Sequence, residues 1–264
     1  MPEYVLDQSW HAERQRLDSM AAYWDPGTLA LAQRCGLGHG AAVLEVGAGA
    51  GSAARRFAEQ VGPTGRVTAV DIDVRLLADL DLPQVEVRQL DLRTDELDRD
   101  AYDLVHARML IEHLADAKEV VLGKLVGALK PGGWLIVEDL DWHGMGATSP
   151  RSEILERVLG VILATMSESG VYDPQYGRGL LTVLRGLGLQ ETSAEYRGVH
   201  VFCDPHTGVP PYDLFVAQVA PMFLSAGLLT EADLDALTAQ THDGSSVIAS
   251  PMMFAALGRR PRQG

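Results

Sequence analysis

The stretch VLEVGAGAGSAARRFAEQ, residues 43–60, sets glycines at positions 47, 49 and 51. An apolar run precedes them and a helical pattern follows. Glycine lets a ligand lie against the main chain, and the unpaired N–H groups at the start of the next helix attract an anion. Acids follow at Asp71, Asp91, Asp139 and Asp141, each just after an apolar run. A carboxylate about 20 residues beyond such a turn suits two ribose hydroxyl donors. A second acid can accept from an exocyclic amine. Turn and acids together predict a ligand that contains adenosine.

These residues need elements to hold them. Five short apolar runs occur at regular intervals: AVLEV (42–46), RVTAV (66–70), VEVRQ (85–89), YDLVHA (102–107) and WLIVE (134–138). Helical patterns separate most of them, notably at 52–61 and 114–129, and KPGGW at 130–134 reads as the turn into the fifth. Strand alternating with helix predicts a parallel sheet with right-handed crossovers. In such sheets ligands lie beyond the carboxyl ends of the strands, where the glycines and acids stand.

The flanks read differently. Residues 1–40 predict a helical cap, with Leu17, Met20 and Trp24 on one face and a break at Pro26-Gly27. SPRSEILERVLGVILATM predicts a helix capped by Ser149, with Pro150 at its first position. LQETSAEYRGVHVF (189–202) and SVIASPMMFAALG (246–258) read as late strands, with a helical insertion over 211–241. The expectation is one domain, 1–264: a cap (1–40), a cofactor-binding core (41–145) and a substrate side (146–264).

The 264 residues carry a formal net charge of −14. So acidic a surface repels phosphate backbones and argues against a nucleic-acid partner. The basic cluster GRRPR reads as a solvated tail. Two cysteines, Cys35 and Cys203, make neither a zinc pattern nor a disulfide framework. MPEYVLDQSW lacks the apolar centre of a signal, and no run reaches the roughly 18 apolar residues of a membrane span. A soluble, cytoplasmic protein is expected, with no membrane partner.

Two adenosine cofactors fit, a dinucleotide and S-adenosylmethionine. The dinucleotide fingerprint G-x-G-x-x-G is imperfect, because Ser52 takes its third position. Glu45 instead opens E-x-G-x-G-x-G. With Asp71, Asp91, YDLVHAR and LKPGGWLIVED in this order, the chain resembles the class I S-adenosylmethionine-dependent methyltransferase family. Its C-terminal third also looks like the branch acting on small molecules in bacterial biosynthesis. The resemblance implies an α/β, Rossmann-like seven-stranded sheet of order 3-2-1-4-5-7-6, with strand 7 antiparallel. It implies S-adenosylmethionine as cofactor. Its methionine end would lie along Gly47, Gly49, Gly51 and the Arg108 backbone, with Glu45 behind the turn. Asp71 would hold the ribose, Ile72 the adenine face, and Asp91 and Leu92 the adenine edge.

For the transfer itself, His113 in LIEHLAD is the expected base, since its ordinary pKa lies near neutrality. His143 follows, and His106, inside a strand, reads as structural. Trp142, His143 and Tyr176 are expected at the acceptor, with Tyr4, Trp10, Tyr23, Trp24 and Tyr172 as further aromatic walls. No complete metal ligand set is present. Leu214, Phe215, Val219, Met222 and Phe223 in the insertion could roof the site or join a homodimer. VPPYD (209–213) resembles a motif of enzymes that methylate nucleic-acid amines, but it lacks the polar first residue and stands in the wrong place. Competing expectations are a cofactor-binding enzyme performing a cyclisation, a non-catalytic interaction module and an NAD-dependent dehydrogenase.

Overall fold

Val, Leu and Ala fill the central strands because both faces of the sheet are covered. The computed structural model describes residues 9–145 and 148–262. Its strands are β1 (Ala42–Val46), β2 (Arg66–Asp71), β3 (Val85–Gln89), β4 (Tyr102–Arg108), β5 (Leu129–Asp141), β6 (Thr148–Ser149), β7 (Gln190–Arg197), β8 (His200–Phe202), β9 (Val247–Ala249) and β10 (Met252–Arg259). Its helices are α1 (Glu13–Arg34), α2 (Ser52–Val61), α3 (Lys118–Ala128), α4 (Glu153–Glu168), α5 (Leu180–Gly186), α6 (Pro210–Ser225) and α7 (Glu231–Thr241).

Among the described residues, seven strands form the main sheet in the order β3-β2-β1-β4-β5-β10-β7. The first five are parallel, and β10 runs antiparallel to both β5 and β7. In chain order of the large strands this is the expected 3-2-1-4-5-7-6 arrangement, with the last strand slotted inside. It is the Rossmann-like methyltransferase sheet.

The two late strands are each broken. β7 and β8 flank Gly198-Val199, and β9 and β10 flank Ser250-Pro251. Pro251 has no N–H to continue a ladder. Ser250 stitches the corner instead: its N donates to Val199 O at 2.8 Å and its Oγ accepts from Val199 N at 3.0 Å. Beyond the corner β6, β9 and β8 form a separate three-stranded sheet.

Other expectations need correction. α1 does not stop at Pro26 but continues to Arg34. Burial of Trp24, Thr28, Leu31 and Ala32 outweighs the lost helix hydrogen bond. The cap of α4 is Ser152, whose Oγ accepts from Leu155 N at 3.1 Å; Ser149 lies in β6. The basic cluster is not all tail. Arg259 closes β10 and stacks over Trp134, and Arg260 pairs with Asp100. The insertion is two helices, α6 and α7, and the Pro210-Pro211 pair opens α6. Tyr4 lies outside the described residues.

Two apolar clusters sandwich the main sheet. A third gathers Trp24, Trp142, Ile162, Phe215 and Phe223 where α1, α4 and α6 meet over the carboxyl ends of the strands. That third cluster is the roof of the site.

Candidate active site

A cavity of about 560 Å³ opens over the carboxyl ends of β1, β2 and β4. Its floor is the glycine turn. Gly47, Gly49 and Gly51 have φ of +67°, +55° and +80°, a region that costs other residues strain. Gly47 and Gly49 face the cavity. Gly51 does not: it precedes α2, and a Cβ there would meet Leu77 at 3.0 Å and Leu80 at 3.1 Å. Its glycine serves packing and the turn.

Asp71 is buried at the end of β2. Its Oδ2 accepts from Gly49 N at 2.8 Å and its Oδ1 from Asp73 N at 3.1 Å. The acid thus braces the turn, and a carboxylate has about four lone-pair sites to share. Ile72, beside it, is half-exposed and offers an apolar face to the cavity. Asp91 and Leu92 line the same end. Asp91 is folded onto Arg93 at 2.8 Å, and the Arg93 hydrogen bond lowers its pKa.

Behind the floor lies a buried charge network. His106 sits between Glu45 (2.5 Å) and Glu138 (3.0 Å), with all three side chains almost wholly buried. Burial opposes its charge, but Glu45 and Glu138 outweigh burial and push its pKa up to about 9. Burial likewise opposes the Glu138 charge, and the His106 hydrogen bond overcomes this and holds it at about 2. Thr28 and Arg197 also bond Glu138. Arg108 turns its guanidinium to Asp25 at 2.8 Å and Thr28 at 2.9 Å. α1 is therefore bolted to the sheet. Glu45 and Arg108 both line the cavity.

The other end of the cavity is apolar and aromatic, with Met20, Trp142, Met166, Tyr172, Tyr212 and Phe215. Trp142 packs on Phe215 with ring centres 5.2 Å apart, and its Nε1 donates to the Tyr172 hydroxyl. His113 lies here too, its ring 4.7 Å from Tyr172. Burial, then Arg16 and Lys118, push its pKa down to about 3, so it is neutral at ordinary pH and a weak base. His143 and Tyr176 do not reach the cavity. His143 is exposed beside Asp141 at 3.6 Å. Tyr176 packs under Lys118, whose Nζ is 4.9 Å from the ring centre. Among the described residues no group of three or more His, Cys, Asp or Glu is arranged to hold a metal ion.

Sequence reasoning passed over Glu112, the immediate neighbour of His113. It is 1% exposed yet lines the cavity. It accepts from Leu140 N at 2.9 Å, is hydrogen-bonded to Tyr172 and lies 3.6 Å from His113 Nε2. Burial, then the nearby Asp139, raises its pKa well above the usual carboxylate range. Asp139 is raised as well, chiefly by burial. Glu13 and Arg16 were also missed. The only signal was their spacing on the α1 face that carries Leu17 and Met20.

The sheet order, with its antiparallel strand inside the edge and a glycine turn braced by the acid that ends β2, is the arrangement of the Rossmann-like methyltransferase fold. Comparisons agree. A family model for a methyltransferase domain matches residues 44–135. The methyltransferase str2 of Strobilurus tenacellus is 30% identical over 166 residues, 62% of this chain and 57% of that protein. The match thus spans little more than half of that relative. Among solved structures, phosphoethanolamine N-methyltransferase 2 of Haemonchus contortus superposes with a TM-score of 0.59 at 17% identity, covering 99% of this chain and 61% of that one. The YcgJ protein from Bacillus gives 0.57 at 14%, covering 90% and 100%. At such identities the structures speak for the fold alone. Residues 44–135 thus match a methyltransferase domain, and these likenesses support the class I S-adenosylmethionine-dependent type, with S-adenosylmethionine as cofactor.

Proposed function

We propose that this chain transfers the methyl group of S-adenosylmethionine to a small organic molecule with an apolar body, a biosynthetic intermediate. One observation carries the reading: a single cavity joins the glycine turn and Asp71 to the aromatic chamber of Trp142, Tyr172 and Phe215. The residues present fit the cofactor. Gly47 and Gly49 leave the main chain open to its methionine end. Asp71 stands ready for ribose hydroxyls, and Ile72 for the adenine face. When bound, S-adenosylmethionine supplies a methyl group on a sulfonium, a good leaving group.

What remains for the protein is alignment, worth up to about 7–11 kcal/mol, and removal of a proton where the acceptor carries one. Alignment falls to the chamber, whose aromatic walls are locked by the Trp142–Tyr172 hydrogen bond and by packing on α6. The base is Glu112 rather than His113. A carboxyl whose pKa is raised well above its ordinary value is the stronger proton acceptor, and an imidazole held near 3 is the weaker one. Neutral His113 and Tyr172 orient the acceptor beside it.

The test uses methyl-deuterated S-adenosylmethionine and a panel of small acceptors. One equivalent of S-adenosylhomocysteine per deuteromethylated product supports the reading. A product formed without the label would favour a cyclisation. Cofactor binding without any product would favour an interaction module.

A further inference from the structure

Three segments close on Glu112, and hydrogen bonds tie each to the others. The Glu112 carboxyl accepts from Leu140 N at 2.9 Å, and its main-chain O accepts from Asp173 N at 3.0 Å. Trp142 N donates to Pro174 O at 2.9 Å. Inside this ring Trp142 Nε1 donates to the Tyr172 hydroxyl, and Tyr172 is hydrogen-bonded to the Glu112 carboxyl. All three side chains are buried, and all three line the cavity.

The chemistry of the groups gives this series of bonds a direction. An indole N–H only donates. The Tyr172 oxygen is therefore the acceptor from Trp142, and its own O–H is left to donate. A carboxylate only accepts, whereas a protonated carboxyl must also place a proton. A hydroxyl donor held in place thus favours the charged form of Glu112. Other groups bear on the same carboxyl. Burial disfavours its charge most, then Asp139 of β5, and Asp173 adds to them; Leu140 N and Tyr172 work the other way. His113 Nε2 lies 3.6 Å from Glu112 and is kept neutral by burial, by Arg16 of α1 and by Lys118 of α3. Lys118 Nζ also lies 3.9 Å from Asp173.

We propose that Tyr172, held by Trp142, is the positioning residue for Glu112: its hydroxyl fixes the carboxyl at the chamber wall as a proton acceptor. In the transfer the bond between the acceptor atom and its proton breaks and one between that proton and a Glu112 oxygen forms. The Tyr172 proton stays on tyrosine. This rests on the reading of Glu112 as the base.

The test is carbon NMR of the full chain, saturated with S-adenosylhomocysteine, carrying isotope-labelled glutamate carboxyls and titrated with base. The Glu112 resonance is identified by its loss in Glu112→Gln. Tyr172→Phe keeps the ring and the main-chain bonds and removes the hydroxyl. It should raise the Glu112 midpoint by about one pH unit or more; a midpoint driven past alkaline unfolding counts as that rise. The double variant Trp142→Phe/Tyr172→Phe leaves no indole N–H stranded, so it stands in should the single variant fail to fold. It should show the same rise, because Trp142 acts through Tyr172. A midpoint that stays at the parent value in either folded variant overturns the relay, whatever the melting temperature does. So does a double variant whose midpoint moves well beyond that of Tyr172→Phe. Full turnover by Glu112→Gln, read as S-adenosylhomocysteine formation across the acceptor panel, would instead overturn the base assignment beneath the relay. A chain that binds no S-adenosylhomocysteine would overturn the methyl-transfer reading itself.

Discussion

The Asp71 carboxylate receives the Gly49 amide at 2.8 Å, so the acid that ends β2 and the turn that follows β1 form one unit. Asp71→Ala therefore removes a ribose acceptor and loosens the turn together. A loss of about 1.5–3 kcal/mol for charged hydrogen bonds predicts roughly ten- to a hundredfold weaker S-adenosylhomocysteine binding. Titration calorimetry reads it. An unchanged affinity would detach Asp71 from the cofactor.

With Glu112 as the proposed base, its titration is expected to set the pH dependence. Its raised pKa means that the base form appears only as pH climbs above the usual carboxylate range. Turnover, read as S-adenosylhomocysteine formation, should rise with pH above the usual carboxylate range. Glu112→Gln should lose this limb and about 10²–10⁴-fold in turnover, with cofactor affinity kept. His113→Ala should keep the limb and act mainly on acceptor affinity. A limb that vanishes in the histidine variant instead would return the role to His113.

α1 is expected to be structural as well as a cap. Trp24 is 1% exposed, and Asp25 and Thr28 hold Arg108. Trp24→Ala should cost about 3–5 kcal/mol in denaturant unfolding. Deleting residues 1–24 should leave an unfolded or aggregating chain, not a folded protein lacking a lid. A cooperative, near-native melt of the truncated chain would contradict this.

The His106 network predicts an alkaline weakness. A folded-state pKa of about 9 lies above the ordinary histidine value. Its stabilisation is fully present below about 6.5, the unfolded value, and is lost as pH rises through the folded one. Glu138, held at about 2, contributes stability above its ordinary value that is lost only in strong acid. His106→Asn removes the cation between two buried carboxylates, leaving Glu138 to Thr28 and Arg197, and should cost about 3–5 kcal/mol near neutrality. Urea unfolding of parent and variant should converge as pH rises through the His106 value. A constant gap would show that His106 is uncharged.

Much of this fold was legible because its signals are local. Apolar runs, GAGAG and the acids after the runs each declare themselves within a few residues, and the sheet order came with the family resemblance. What stayed hidden depends on convergence. Glu112 stands beside His113 in the chain, yet only the packing of β5 and Tyr172 around it buries it. Glu13 and Arg16 read as ordinary helix charges until α1 is laid over the cavity. His106 looked like a core residue, and nothing in sequence shows that Glu45 and Glu138 flank it from neighbouring strands. Pro26 and the Ser250-Pro251 corner are the converse, where tertiary burial overrode one local breaker and a local breaker divided an apparent strand.

The central claim, that this cavity holds S-adenosylmethionine through the glycine turn and Asp71, is tested most directly by titrating the full chain with S-adenosylhomocysteine against NAD. The account predicts saturable one-to-one binding of S-adenosylhomocysteine, displaced by S-adenosylmethionine, weakened by Asp71→Ala and indifferent to NAD. Saturable binding of NAD with no response to S-adenosylhomocysteine would contradict it.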